Sequence, residues 1–157
     1  MSKSNLNVVL VGIGISLLLV LLLIGRENLV SFVTSSDSTK VPTSTLLRDI
    51  RAINVPPGHA AVDPIKTWDK VVTVGATRHF RASSSATEIA NAYKSSLPAE
   101  GWTFVGERSV SGNEIALKFC RGATSLLLNL VSEGPGTTYY YLGVQWAKSK
   151  SSRAYCR

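Results

Sequence analysis

This sequence is short of the residues that carry out chemistry. It has two histidines, His59 and His79, and two cysteines, Cys120 and Cys156. Two distant cysteines with no histidine beside either do not make a zinc site. Asp63 and Asp69 lack the dense ligand spacing of a calcium loop. There is no Gly-x-Ser-x-Gly elbow and no glycine-rich phosphate loop, since Gly12 and Gly14 fall inside an apolar run. Glu107 and Glu114 flank a hairpin turn, where charges are normally solvated. His59 follows Pro56-Pro57-Gly58, and His79 sits between Arg78 and Phe80 in a strand. Both histidines read as surface residues. The expectation is a non-enzymatic chain with no catalytic, metal or cofactor-binding residue and no cofactor.

Acidic residues are also scarce, 10 Asp and Glu against 17 Lys and Arg, which leaves a net charge of +7. Lys148, Lys150, Arg153 and Arg157 concentrate positive charge in an acid-free tail over residues 148–157. Such a tail can meet anionic lipid, nucleic acid or an acidic partner. The plainer expectation is a solvated, poorly ordered terminus.

Residues 6–24 form an uncharged apolar run, interrupted only by Asn7 and Ser16. At helical rise it spans about 28 Å, close to the hydrocarbon thickness of a bilayer. A cleaved signal peptide would have a shorter core and a nearby small-residue site. Here Gly25, Arg26, Glu27 and Asn28 follow, which read as an interface. With no cysteine before Cys120, the run offers no site for lipid attachment. The expected organisation is a polar head over 1–5 and a transmembrane helix over 6–24. An interfacial turn and Ser/Thr-rich tether follow over 25–45, then a folded domain over 46–147 and the basic tail. A short polar head before a leucine-rich run has the form of a signal-anchor. That places a single-pass protein in the inner membrane with its domain on the periplasmic side, in contact with membrane lipid.

The exported part reads as α+β. Ser44 or Thr45 is placed to cap a short helix bearing Leu46, Leu47, Ile50 and Ile53. Val55-Pro56-Pro57-Gly58 then forces an extended strand or turn. A strand is expected over 70–82 with Val72, Val74, Ala76 and Phe80 on one face, and Gly75 marks a bulge or a close backbone contact. Ser85-Ala86-Thr87-Glu88 fits a capping box. Behind it Ile89, Ala92, Tyr93 and Leu97 make an apolar stripe, stopped by Pro98 and Gly101.

Strands are then expected over 102–110, 114–121, 124–132 and 137–147, separated by short glycine-containing turns. Ile115, Leu117, Phe119, Leu126, Leu128, Leu130, Tyr140, Leu142, Val144 and Trp146 should face the core. The predicted fold is a two-layer β-α-β-β-β-β domain with an antiparallel meander under one helix. Its other face carries Tyr139, Tyr141 and Gln145 and is half polar, so it is either wet or a partner surface. Arg78 and Arg81 are assigned to that surface with the two tyrosines. Together with His79 and Arg121 they could stack single-stranded nucleic acid, but an exported, tethered domain rarely meets it, and no nucleic-acid partner is expected.

An even cysteine count in an exported domain suggests a Cys120–Cys156 disulfide stapling the tail to the sheet, the alternative being two free thiols. From Val55 onward the chain resembles small exported bacterial domains of uncharacterised families, found on lipoproteins or behind a single anchor. The matching features are Val55-Pro56-Pro57-Gly58 and Tyr93-x3-Leu97-x3-Gly101-Trp102. The resemblance implies a helix-on-sheet fold and an envelope location, and it transfers no functional residue.

The leading expectation for function is an accessory or binding subunit of an envelope complex, partnered by other membrane-protein subunits. The alternative is a small-ligand or cell-wall binder using a cleft between helix and sheet, near Tyr93 and Trp102. A third is an unidentified hydrolase, which would need His59 or His79 to meet an acid in a concave site.

Overall fold

The computed structural model describes residues 39–156. The expected anchor over 6–24, its flanking head and interfacial turn, and Arg157 lie outside the described residues. Among the described residues no helix is long and apolar enough to cross a membrane.

Helix α1 (Thr43–Ala52) is followed by three strands, β1 (Ala60–Ala61), β2 (Lys66–Asp69) and β3 (Thr73–Ala82). Helix α2 (Ala86–Ser96) runs into a 3-10 turn (Leu97–Glu100). The chain ends in a meander of β4 (Thr103–Ser111), β5 (Glu114–Arg121), β6 (Thr124–Gly134) and β7 (Thr137–Ala147). All strands join one antiparallel sheet in the order β1-β3-β7-β6-β5-β4, with β2 also paired to β3.

The pleat sorts side chains by parity. Leu126, Leu128 and Leu130 of β6 and Tyr140, Leu142, Val144 and Trp146 of β7 are all buried. They pair in register with one another and with Leu117 and Phe119 of β5. Val74, Ala76 and Phe80 of β3 continue the same face. Two helices cover it rather than the single one expected. α1 lies against β3 and β7, and α2 lies against β5 and β6.

Both helices are amphipathic at helical period. Leu46 and Ile50 anchor α1, while Ile89, Ala90, Tyr93 and the following Leu97 anchor α2. The capping box of α2 is present, with the Ser85 side chain accepting from the Glu88 amide and the Glu88 carboxylate accepting from the Ser85 amide. α1 begins earlier than expected. Pro42 precedes its first turn, with no side-chain cap from Ser44 or Thr45. Gly101 takes φ 81° after the 3-10 turn, the left-handed conformation that glycine adopts without steric cost.

Arg121 ties the two helical segments together. Its guanidinium pairs with Asp49 of α1 at 2.8 Å, donates to the Glu100 carbonyl at 3.3 Å and lies 4.3 Å from the Trp102 ring centre.

The strand expected over 70–82 is present as β3, which begins only at Thr73, and β2 before it forms a hairpin with it through a turn at residues 70–72. Val72 therefore leaves the core face expected for it and is 55% exposed. The clue was Gly75. The Trp68 indole crosses the sheet directly over it, and a Cβ there would stand 2.1 Å from Trp68 Cζ2. No register shift occurs along β3, so the glycine marks a close contact and no bulge.

The tail after β7 folds back onto the sheet. Cys156 is bonded to Cys120 of β5, with 5.8 Å between Cα atoms and a sequence separation of 36. Ala154 and Cys156 are buried, and Lys118 Nζ donates to the Tyr155 carbonyl at 2.6 Å. The loose terminus expected for this stretch is therefore a docked strap, because the bond at its end and the Lys118 contact both hold it.

Two stability predictions follow from these contacts. Gly75→Val should destabilise the fold by about 1–3 kcal/mol through displacement of the indole. Gly106→Ala, with nothing within 4 Å of the added carbon, should stay within about 0.5 kcal/mol of wild type. Urea unfolding of both variants checks the contrast. Separately, Cys156→Ser should lower stability by about 2–4 kcal/mol, the usual effect of opening a long disulfide-closed loop. A reductant should produce the same loss in the wild type and none in the variant.

Candidate functional site

The gap between helices and sheet is filled by the core. Tyr93 is 0% and Trp102 2% exposed, which removes the cleft expected between them. The Tyr93 hydroxyl lies 3.3 Å from that of Tyr140, which in turn lies 2.7 Å from His59 Nδ1. Burial raises the phenol of Tyr93 and pushes that of Tyr140 up to about 12, and it lowers the pKa of His59. His59 is therefore partly buried and hydrogen-bonded, where a surface turn residue was expected. Its role here is to satisfy a buried hydroxyl.

The opposite face of the sheet carries no helix. It is built from the residues of opposite parity: His79 and Arg81 on β3, Tyr139, Tyr141, Gly143 and Gln145 on β7, Leu127 and Asn129 on β6, and Ala116 and Lys118 on β5. His79 pairs in register with Tyr141 and stacks on Tyr139, ring centres 5.8 Å apart and planes inclined by 13°. Arg81 lies opposite Tyr139, and its guanidinium is held by both carboxylate oxygens of Glu133 at 3.0 and 3.1 Å.

Arg78, assigned in sequence to this surface, projects to the other side. It pairs with Leu142 on the helix-covered face, its guanidinium 5.4 Å from the Phe80 ring centre. Its Nε is buried with no hydrogen-bond partner among the described residues. The reason is strand parity, since Arg78 and Arg81 are three residues apart and must point to opposite faces.

The β3 edge of the outer face carries an ion cluster that sequence reading did not assemble. Asp63 accepts from His79 Nδ1 at 2.8 Å and from the His79 amide at 3.2 Å, and it pairs with Lys66 at 2.6 Å. The Lys66 and His79 contacts hold the Asp63 carboxyl down at about 2. The cluster depends on β2, a strand the sequence reading did not assign, which carries Lys66 and returns along β3.

The β5–β7 half of the outer face contains a cavity of about 410 Å³. Its floor is Ala116, Leu127 and Asn129, its walls include Val105, Gly106 and Arg108 of β4, and Tyr141 and Arg153 close it from β7 and the strap. Two local features make the space. β4 shifts register between Phe104 and Gly106, which bends the edge strand. Small residues then leave the middle of the face low, with Ala116 on β5 and Gly143 on β7. A second hollow at the other end of the strap is lined by Val105, Lys118, Cys120, Lys150, Tyr155 and Cys156.

The electrostatics of the cavity are basic. Arg108, Lys118 and Arg153 line it, against the single acid Glu107. Glu107 is engaged by Lys94 of α2. Neither Arg108 nor Arg153 has a carboxylate within ion-pair distance among the described residues. Burial raises the Tyr141 phenol, Glu114 adds to the effect, and Arg108 and Arg153 oppose it, so both guanidiniums act on the same hydroxyl. Glu114 itself accepts from Asn129 Nδ2 at 2.9 Å.

Of the residues singled out in sequence, Tyr141 and Arg153 meet here. Tyr139 and Arg81 lie on the same face outside the cavity lining, and Lys150 lines the second hollow. Lys148 follows β7 directly, its amide donating to the Val72 carbonyl at 3.0 Å. Arg108, Asn129 and Leu127 were not foreseen, since no motif marks them. Neither histidine lines the cavity, and among the described residues no cluster of His, Cys, Asp and Glu is grouped to hold a metal.

Fold and site together define an α+β domain with one helix-covered sheet face and one open, basic, tyrosine-bearing face. The chain matches no family model, no curated protein and no solved structure.

The Asp63 cluster makes a pH prediction. The Asp63 carboxyl lies below its ordinary value of 3.8 in the folded state. Its contribution to stability is therefore complete above that value and is lost as pH falls from about 4 towards 2. Asp63→Asn should flatten that part of the profile, measured as the urea midpoint against pH. An unchanged slope would show that the pairing contributes nothing.

Proposed function

We propose that this chain is a membrane-tethered, non-catalytic binding domain, an accessory subunit of a cell-envelope membrane complex. The observation that carries the reading is the outer sheet face. It is uncovered by helices, holds His79 between Tyr139 and Tyr141, and opens into a basic cavity. Aromatic residues and arginine are the types enriched where proteins bind one another.

Two sequence features support the membrane half of the proposal. The apolar run over 6–24 has the length of a span, and the Cys120–Cys156 bond suits an oxidising compartment outside the cytoplasm. The domain then works at the bilayer surface on the periplasmic side, next to other membrane-protein subunits. The resemblance to small exported bacterial domains agrees with that location.

A second reading, a small-ligand or cell-wall binder, is favoured by the size of the cavity. About 410 Å³ lies within the range of small-molecule sites. The ligand would sit on the outer face, since core side chains fill the gap between helices and sheet. A hydrolase is disfavoured. His79 does meet an acid, but the pair lies outside the cavity and Asp63 is shared with Lys66.

Crosslinking of the full chain in native membranes, followed by mass spectrometry, tests the leading reading. Crosslinks from the outer face to larger membrane proteins are expected. Recovery of an uncrosslinked monomer, or of protein free in solution after gentle lysis, would count decisively against it.

A further inference from the structure

We propose that the outer-face cavity recognises an acidic head group, a carboxylate or a phosphate monoester, carried on a compact apolar body. The inference rests on the reading of the outer face as the binding surface and names the chemistry that it takes.

Three observations converge. The cavity has an apolar base in Ala116 and Leu127, extended by Val105 on the edge strand. Around that base the polar groups are mostly donors: Arg108, Arg153, Lys118 and the Tyr141 hydroxyl. The lining acid Glu107 is paired with Lys94, while the nearby Glu114 accepts from the neutral Asn129 amide and keeps its charge.

Three cations, Arg108, Lys118 and Arg153, thus outnumber the one nearby carboxylate without a cationic partner among the described residues, Glu114, and the cavity keeps an excess of positive charge. A guanidinium presents a planar fork of donors that matches a carboxylate or phosphate. Lys118 has spent a donor on the Tyr155 carbonyl, so its part is mainly to hold the strap and add to the field. Arg108 and Arg153 have no such engagement among the described residues and supply the specific contact.

The two arginines come from different parts of the chain. Arg108 belongs to β4, and Arg153 belongs to the strap that the Cys120–Cys156 bond closes onto β5. The disulfide therefore positions half of the anion contact. Opening it frees the wall that carries Arg153 and leaves Arg108 alone. Arg153 is a binding residue, and Cys156 acts through it as a positioning residue.

The test uses the full chain in phosphatidylcholine nanodiscs, titrated calorimetrically with hexanoate, hexyl phosphate and hexanol. Both anions should bind saturably, at least about tenfold more tightly than the neutral alcohol, a difference of about 1.4 kcal/mol. The double variant R108Q/R153Q changes two exposed side chains and should keep the wild-type melting temperature while losing that preference. Reductant should weaken anion binding in the wild type and have no further effect on R153Q.

Equal binding of hexanol, or unchanged anion affinity in the double variant, would overturn the proposal. Repeating the titration in discs containing phosphatidylglycerol separates the sources. Competition by the lipid assigns the head group to the bilayer, and undiminished probe binding assigns it to the aqueous side. Crosslinking of the same samples keeps the two readings apart. Captured neighbours without anion preference would sink the pocket alone. Anion preference without neighbours would sink the accessory-subunit reading and leave the pocket standing.

Discussion

The alternation of side chains along three long strands governs this domain. On β5, β6 and β7 every second residue is large and apolar, and in register these residues form one continuous buried face. Burial of such a face at roughly 25 cal/mol per Å² is the dominant favourable term in folding. A slip of one residue would turn Leu126, Leu128 and Leu130 into water, so register is strongly specified. Both helices are on the apolar side because only there can their own stripes be buried. The other face is left without a lid by the same rule.

That constraint decides what the open face can become. Residues on it are free of the demand for apolar packing, so Ala116, Gly143, Asn129, Lys118 and the tyrosines can sit side by side. Low residues in the middle and a bent edge strand make a hollow, while the strap adds a wall from outside the sheet. The strap has little apolar surface beyond Ala154 and Cys156 with which to hold itself down. Its order depends on a covalent bond and on Lys118 reaching the Tyr155 carbonyl. Chemistry at the surface thus rests on a cross-link in a way that the core does not.

The elements most visible in the sequence were those whose local signals agreed with their tertiary setting. The capping box at Ser85, the stop at Pro98 and Gly101, and the alternation of Leu126 to Leu130 and Tyr140 to Trp146 each mark one element, and each is present. β2 escaped because Lys66-Thr67-Trp68-Asp69 is short and mostly polar, and its partner is recognised only through the ring over Gly75. Arg78 was misplaced by grouping charge along the chain without counting parity, a distinction that two adjacent faces enforce. The Asp63–His79 pair followed β2 out of view, since its geometry exists only once the hairpin forms. The cavity was half legible. Tyr141 and the basic tail were each conspicuous, but the disulfide bringing Arg153 to the sheet was only an expectation, and the bulge that places Arg108 leaves no mark in composition.

The polar groups of the domain divide into those engaged within the fold and those left open at the outer face. The histidines are spent on structure, His59 on the Tyr140 hydroxyl and His79 on Asp63. Each imidazole has its Nδ1 committed to a neighbour, and neither ring lines the outer-face cavity. The guanidiniums near Tyr141 are the reverse case, since both are exposed and neither meets a carboxylate among the described residues. A permanent positive charge of this kind cannot shuttle protons at physiological pH, but it can hold an anion in a fixed orientation. The proposed anion contact therefore rests on two cations that keep their charge and meet no carboxylate among the described residues.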